Sequence, residues 1–579
     1  MANQMITLRI VGESGEGIVS TGEILSRILQ QMGQELMTFR TYPAEIKGGQ
    51  CLFQLRFSRH KLHTPGDDPE IVVCFDEKSY FEHGMAKNTG WLLYNSNDTA
   101  PENHPPGTAF GIPFTTLARE QGGALQAKNM VVLGALSYLM KLDRERVEAF
   151  ARKWFAPKGE SVVTSNTRAI LAGWDFCRAN FDEPAAELSS AQADETLMLS
   201  GNQALVLGAL SAGCRFFAGY PITPASNILE MMVKELPKFG GIGIQTEDEI
   251  AALGAAIGAS YAGKKAMTAT SGPGLSLMHE MIGLAGMAEI PVVIVDAQRA
   301  GPSTGMPTKM EQGDLLAALH GSHGEAPRVV LAPSTVAECY SLTVTAFNIS
   351  EALRLPVIIL SDLALAQRTA TIPAQLLENV RVVDRAILEA NPAAAFLPYA
   401  ASETGVNVMT LPGTPGAMHV ITGLEHDAAG APNYAGENHT QMNEKRHRKL
   451  ALAFQHHPGY EEFHAETSAA IGVIGWGSTQ GPILEALERL REQGMRVPLL
   501  QLKLLHPLPE QAIRRFADQV ERIVVIEHNY TGQLAGLIQA MLSKPVLRWH
   551  KIQGVPFTVK ELVEKLVSLL EHKTVEDAA

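Results

Sequence analysis

FFAGYPITPAS (residues 216–226) is followed along the chain by GIGIQTEDEIAALGAAIG (241–258), AMTATSGPG (266–274) and IPVVIVDAQRAGPSTG (290–305). In each stretch a short strand-like run is followed by a polar or glycine-rich turn. Where the runs are near-continuously apolar rather than alternating, they predict parallel strands covered on both faces. The carboxyl ends of such strands converge on one crevice, so four turns far apart in sequence are expected to line one site. Two later runs, RVVLAPS (328–334) and LPVIILSD (355–362), extend the same unit.

Working outward, ITLRIVG (6–12), ESGEG (13–17) and IVSTGEILSRILQQMG (18–33) read as strand, glycine-rich turn and amphipathic helix. Further strand-like runs at LMTFR, CLFQLRF and EIVVCFD, then helices over about residues 126–180, complete a first α/β unit, residues 1–181. The small, polar and acidic stretch 182–196 reads as a linker, and 197–375 as the middle unit. Over 376–466 the periodicity fades into a connector containing LPGTPGAMHVITGLEHDAAG (411–430) and a charged helix, NEKRHRKLALAF (443–454). A third α/β unit, 467–579, opens on AAIGVIGWGSTQGPILEALERLREQG (469–494) and runs through VPLLQLKLLHPLP and RIVVIEHN. The expected fold class is α/β, three such units plus a connector. The 579 residues suit this number, at roughly 150 per domain.

Composition excludes several function classes. With 48 basic against 61 acidic residues the net charge is −13, and no basic stretch concentrates enough charge to hold a phosphate backbone, so no nucleic-acid partner is expected. The five cysteines, Cys51, Cys74, Cys177, Cys214 and Cys339, form no C-x-x-C pair and suit buried, reduced thiols in a cytoplasmic protein. This chain alone is not expected to hold an iron–sulfur cluster. No apolar run approaches the roughly 20 residues a bilayer requires, and the N-terminus reads as a strand rather than a leader.

Within the four turns, the residue types themselves suggest chemistry. Two prolines fix the backbone of Tyr220-Pro221-Ile222-Thr223-Pro224, and Thr223 is expected to cap the helix that follows. Glu247 and Asp248 open the next helix, where carboxylates complement the dipole. Glu249 precedes a run of small residues, Ala-Ala-Leu-Gly-Ala-Ala-Ile-Gly, which permits close packing, so its carboxylate is expected to be partly buried.

Taken together, YPITPAS, a glutamate before A-A-x-G-A-A-x-G, TSGPG, and QRAGPSTGMPTK with Glu311-Gln312-Gly313-Asp314 resemble the thiamine-binding pyrimidine domain of 2-oxoacid:ferredoxin oxidoreductases. On that resemblance residues 1–181 correspond to the family's gamma module and 467–579 to a transketolase-C-like domain, an order like that of the α subunit of 2-oxoglutarate:ferredoxin oxidoreductases. The resemblance implies CoA-dependent, reversible oxidative decarboxylation of 2-oxoglutarate to succinyl-CoA and CO2. Electrons would pass to ferredoxin, with a place in reductive carbon fixation. It implies catalytic roles for Glu249, Thr223 and Arg299: Glu249 against the aminopyrimidine, Thr223 and Arg299 on the substrate carboxylate. Tyr220, Pro221, Ile222 and Gly272 would complete the cofactor pocket. No G-D-G diphosphate site is present, so Mg2+, the diphosphate end of thiamine diphosphate and a [4Fe-4S] cluster are assigned to a β subunit, in a dimer of heterodimers, with coenzyme A as co-substrate. The far carboxylate of the substrate needs a cation, for which Arg40 and Lys47 are candidates. Two positions depart from the family pattern: Glu16 where glutamine is usual, and Met409 near the LPGTPG start, where relatives carry a substrate-holding arginine.

Other readings compete. Gly12 to Gly17 follows a strand and opens a helix, as in dinucleotide-binding folds, but the spacing from Gly15 is G-x-G-x-x-S and the next strand ends in Arg40, not an acid. Gly475-Trp476-Gly477-Ser478 reads as a structural turn. His279-Glu280 begins HEMIG rather than H-E-x-x-H, and no G-x-S-x-G occurs. His506 and His528 end apolar strands and read as turn residues. Pyruvate or branched-chain 2-oxoacids are rival substrates, and a non-catalytic scaffold subunit is the rival class.

Overall fold

A computed structural model of the chain describes residues 5–41, 49–84, 90–98, 108–182, 195–388, 395–466, 468–542 and 544–571. These residues form two compact units, one built from the chain up to Leu199 together with Arg368–Ala374, the other from the remainder.

In the first unit an eight-stranded sheet runs in the order Ala109–Ile112, Trp91–Asn95, Ile71–Cys74, Ile6–Glu13, Gln50–Ser58, Glu35–Thr41, Thr369–Pro373, Thr196–Ser200. The four strands from Ile6–Glu13 to Ala109–Ile112 are parallel, whereas Gln50–Ser58 is antiparallel to both its neighbours. Helices Lys128–Leu139 and Glu160–Asn180 cross closely, since a Cβ on Gly134 would lie 1.9 Å from the Ile170 carbonyl and one on Gly173 2.0 Å from that of Val131. Only glycine permits that backbone contact. Strands Thr196–Ser200 and Thr369–Pro373, which fall at the two ends of the unit read from sequence as 197–375, instead join this sheet. Thr371 fastens the inserted segment, accepting from the Leu36 amide at 2.9 Å and donating to Glu35 at 2.6 Å.

The glycine-rich turn of this unit is occupied by its own side chain. Glu16 accepts from the Glu13 amide at 3.2 Å and forms an ion pair with Lys128, which also lies over the Phe75 ring. A dinucleotide diphosphate brought to the turn would meet a carboxylate, which argues against the nicotinamide reading and gives the Glu16 departure a structural role.

The second unit contains two sheets. A seven-stranded sheet runs Leu504–His506, Val329–Leu331, Pro356–Asp362, Val292–Gln298, Ala266–Thr270, Phe216–Gly219, Ile242–Gln245, parallel except at its first strand. A five-stranded sheet runs Tyr460–Phe463, Leu499–Leu502, Ala469–Trp476, Val520–Glu527, Val546–His550, again with one antiparallel edge. The run LLQLKLLH is split at Lys503: its first half pairs in one sheet and its second half in the other. The third unit therefore lends a strand to the middle one and the two share a single body. Lys503 is buried at this crossing between Glu338 and Gln480, each at 2.6 Å. His506, on the lent strand, is pushed down to about 4 by burial, and His528 to about 3 for the same reason.

Gln312 joins the two sheets a second time. Fully buried, it donates to the Trp476 carbonyl at 3.1 Å and accepts from the His528 amide at 3.0 Å. The Ser478 amide donates to Asp362, and Gln501 donates to the Gly477 carbonyl. This turn is thus engaged internally, as its structural reading expects.

Within the connector, helix Gly436–Arg448 is followed by a 3-10 segment, Lys449–Gln455, and the edge strand Tyr460–Phe463. One face of that helix is buried: Lys445, together with Lys449 just past its end, lies on Glu289, and Arg446 lies on Glu425 at 2.9 and 2.7 Å. All five cysteines are buried free thiols. Burial raises Cys177 and Cys214 to about 12. No helix among the described residues is long and apolar enough to cross a membrane.

Candidate functional site

Strands Ile242–Gln245, Phe216–Gly219, Ala266–Thr270 and Val292–Gln298 are successive parallel neighbours, so the turns after them emerge side by side. Hydrogen bonds and close contacts then link these turns.

Glu249 is the first residue of helix Glu249–Tyr261, whose N-cap, Asp248, accepts from the Ala251 amide at 2.7 Å. This cap places Glu249 inward at 5% exposure, while Glu247 is exposed. Among the described residues no donor engages the Glu249 carboxylate. It packs on the TSGPG turn: a Cβ on Gly274 would lie 2.6 Å from both its Cγ and its Oε1. A buried carboxylate without a donor is costly, and the natural remedy is a ligand that supplies an N–H or N+ partner.

The Gly274 contact yields a test. Gly274→Ala must displace Thr270, whose Oγ1 would lie 2.0 Å from the new Cβ, together with Glu249, whereas Gly283, on the same helix Gly272–Met287, has open space where its Cβ would stand. Gly274→Ala is expected to lower kcat about tenfold or more and to destabilise by about 1–3 kcal/mol, while Gly283→Ala leaves both near wild type. Equal kinetics for the two variants would show that neither Thr270 nor Glu249 need sit where it does.

Arg299 ties the first and fourth turns together. It is 8% exposed and donates from Nη1 to the Thr223 carbonyl at 2.7 Å and from Nη2 to the Thr304 carbonyl at 3.2 Å. These bonds fix the guanidinium plane and leave donors over for an anion, Nε among them, which has no partner among the described residues. Burial lowers its pKa, and Asp314 opposes that shift. The loop beyond is held by the Gly301 amide, which donates to Glu311 at 3.2 Å.

Thr223 is not a helix cap, correcting the expectation from sequence. The helix begins at Ser226, its N-cap position is Ala225, and no side chain caps it. Two prolines hold the intervening turn, with a cis Thr223–Pro224 bond, and the Thr223 side chain is exposed at the crevice end of the sheet. Tyr220 and Pro221 are also exposed, and Ile222 is half-buried. Gly272 lies against Asp314, where a Cβ would stand 2.8 Å from the carboxylate.

The remaining candidates fall elsewhere. Arg40, in the first unit, is ion-paired to Glu23 at 3.3 Å, and Lys47 lies outside the described residues. Met409 is buried in the second unit, its Sδ 3.7 Å from Arg385, which in turn grips Glu351 at 2.5 and 2.6 Å and the Ser260 carbonyl at 2.7 Å. Its slot here is one of packing beside a buried ion pair. Three residues not assigned a role from sequence, Asp296, Gln298 and Asp314, stand behind the turns. Gln298 accepts from the Asp314 amide at 3.1 Å and donates to the Ser361 carbonyl at 3.0 Å. For Asp296 and Gln298 the signal was an acid and an amide inside an otherwise apolar strand, VVIVDAQ.

No group of three or more His, Cys, Asp or Glu side chains suited to a metal occurs among the described residues. The buried, donor-free carboxylate and the glycine beside it suit the aminopyrimidine end of thiamine diphosphate.

Comparison with known proteins agrees in extent and order. Residues 7–176 match the pyruvate ferredoxin/flavodoxin oxidoreductase family, 207–445 its thiamine diphosphate-binding domain, and 469–562 pyruvate:ferredoxin oxidoreductase core domain II. The chain is 34% identical to 2-oxoglutarate oxidoreductase subunit KorA of Mycobacterium tuberculosis, over 96% of this chain and 90% of that one. It is 32% identical to the α subunit of 2-oxoacid:ferredoxin oxidoreductase 2 of Aeropyrum pernix, over 98% and 99%. A solved structure of 2-oxoglutarate:ferredoxin oxidoreductase from Magnetococcus marinus, with 2-oxoglutarate, coenzyme A and succinyl-CoA bound, superposes with a TM-score of 0.93 at 38% identity, covering 98% of this chain and all of that one.

Proposed function

Because the chain belongs to the 2-oxoacid:ferredoxin oxidoreductase family, as an α subunit, we propose that it catalyses, with a partner subunit, the CoA-dependent oxidative decarboxylation of 2-oxoglutarate to succinyl-CoA and CO2. Two electrons leave one at a time for ferredoxin, and the reverse, carboxylating direction uses the same groups. The observation that carries this reading is the buried Glu249 carboxylate, held without a donor against Gly274 at the mouth of the parallel sheet.

Thiamine diphosphate, when bound, supplies the nucleophilic carbon that attacks the 2-oxo carbon and the electron sink that CO2 release requires. Glu249 holds a proton between its carboxylate and the aminopyrimidine ring nitrogen, a role suited to an acid in a low-dielectric site. Arg299, its plane set by the carbonyls of Thr223 and Thr304, binds the substrate carboxylate next to the 2-oxo group. The Thr223 hydroxyl contacts the same carboxylate, while Tyr220, Pro221, Ile222 and Gly272 wall the ring. For the far carboxylate the resemblance offers Arg40 or Lys47 as the cation.

Mg2+, the diphosphate and a [4Fe-4S] cluster belong to a β subunit in this reading, within a dimer of heterodimers acting in the cytoplasm. A covering partner is supported by apolar side chains exposed on the site-bearing elements, namely Tyr220, Ile250, Leu277 and Met306, each at 40–50%.

The test is a comparison of kcat/KM for 2-oxoglutarate, pyruvate and 2-oxoisovalerate with the intact enzyme, coenzyme A and ferredoxin. A preference for 2-oxoglutarate of about a hundredfold or more is expected, the scale on which a site built for a second carboxylate rejects analogues lacking it. Equal or faster turnover of pyruvate would transfer the chain to the pyruvate branch. Arg299→Ala is expected to raise KM for every 2-oxoacid about a hundredfold, as for loss of a buried charge-assisted bond.

A further inference from the structure

Behind Arg299 lie two carboxyl groups that the reaction as described does not use. Asp296 sits in the central strand Val292–Gln298, fully buried, and Asp314 precedes helix Leu315–His320. Asp296 and Gln298, two residues apart, share one face of that strand, and Gln298 accepts from the Asp314 amide at 3.1 Å, which brings the two carboxyl groups together. Among the described residues, neither oxygen of Asp296 nor Oδ2 of Asp314 meets an N–H or hydroxyl donor. Two buried carboxylates in contact cannot both be ionised, so a proton must lie between them. The Asp314 oxygens cover Gly272, where a side chain would collide at 2.8 and 3.0 Å, and the charged groups that bear on Asp314 are Arg299 and Glu311. Arg299 has no carboxylate ion pair of its own among the described residues, its bonds going to the carbonyls of Thr223 and Thr304.

We propose that Asp296 and Asp314 are a proton-sharing positioning pair, Asp296 the neutral acid that donates and Asp314 the carboxylate that accepts, which sets how much of the Arg299 charge is available to the substrate carboxylate. The proposal rests on the reading of Arg299 given above. Asp314 is pushed up to about 6, by burial first and then by Glu311, while the Asp296 hydrogen bond and Arg299 oppose the rise. Asp296 is driven well above the carboxylate range by burial and by Asp314. Below the Asp314 transition the pair is neutral and Arg299 is uncompensated. Above it a negative charge appears behind the arginine and competes with the substrate, so KM rises with pH.

The experiment follows KM for 2-oxoglutarate against pH in the intact enzyme, together with the infrared carbonyl band of a neutral, deuterium-sensitive carboxylic acid. Wild type is expected to show KM rising about fivefold or more through the transition, and an acid band persisting at neutral pH. Asp314→Asn should give a low KM that no longer changes across that range. Asp296→Asn keeps a donor and should retain the transition while losing the acid band. Asp296→Val, which removes the donor, should move the transition to higher pH. A transition surviving in Asp314→Asn, or unmoved in Asp296→Val, overturns the proposal, as does an acid band unaffected by Asp296→Asn. Should Arg299→Ala leave KM unchanged while the band still depends on Asp296, the shared proton stands, but the proposed control of substrate binding fails with the Arg299 reading.

Discussion

Glu249→Gln is expected to lower kcat by at least about a hundredfold, the usual scale for removing a positioned acid–base group. Glutamine preserves the volume packed on Gly274 and can sit in the same inward position behind the Asp248 cap, so helix and turn should survive. What it loses is the capacity to take and return a proton opposite the ring nitrogen. Turnover should fall while the partner subunit still co-purifies and the melting temperature stays within a few degrees. A variant retaining more than about a tenth of wild-type turnover would remove Glu249 from the acid–base role and favour a scaffold subunit.

The largest loss of stability is expected far from the crevice, at Glu289. This residue is fully buried in a left-handed conformation at φ 54° and is the single carboxylate between Lys445 and Lys449, with Arg354 close by. Burial pushes its carboxyl upward, but Lys449, Lys445 and Arg354 together hold it down to about 2. A carboxyl depressed on folding contributes stability that is present above its ordinary value of 4.5 and is lost as pH falls toward about 2. Glu289→Ala leaves buried cations without a counter-charge and should cost about 3–5 kcal/mol. Lys449 is the surplus charge, pushed down to about 7 by burial against the pull of Glu289. Lys449→Met should therefore cost less than about 1.5 kcal/mol. Denaturant midpoints measured at neutral pH give the comparison, and a Glu289→Ala variant as stable as Lys449→Met would refute the charge account.

Much of the site was legible because its signals are local. Apolar runs ending in Tyr220-Pro221, Thr246-Glu247, Ser271-Gly272 and Arg299 announce strands whose ends converge, and the structure places them as parallel neighbours. Glu249 could be preferred over Glu247 because the small residues after it allow a helix to pack closely, and its burial agrees. Thr223 shows the limit of such reasoning, since a threonine before Pro-Ala-Ser looks like a cap, yet the helix starts three residues later. Composition likewise does not show that Glu289, more than 150 positions away, neutralises Lys445 and Lys449 at the end of the charged helix and just beyond it.

The sequence by itself determined the α/β class, the order of the elements and the residue types offered at each strand end, because helix and strand periodicity and turn chemistry are encoded over a few residues. Only the tertiary structure decided which sheet each strand joins: that Thr196–Ser200 and Thr369–Pro373 pair in the first unit, and that Leu504–His506 edges the middle sheet. It alone also decided that Asp296 meets Asp314 without another donor and that Met409 packs beside Arg385. Pairing partners and the charge state of buried groups depend on what long-range folding brings within a few ångströms, and a local pattern does not encode that distance.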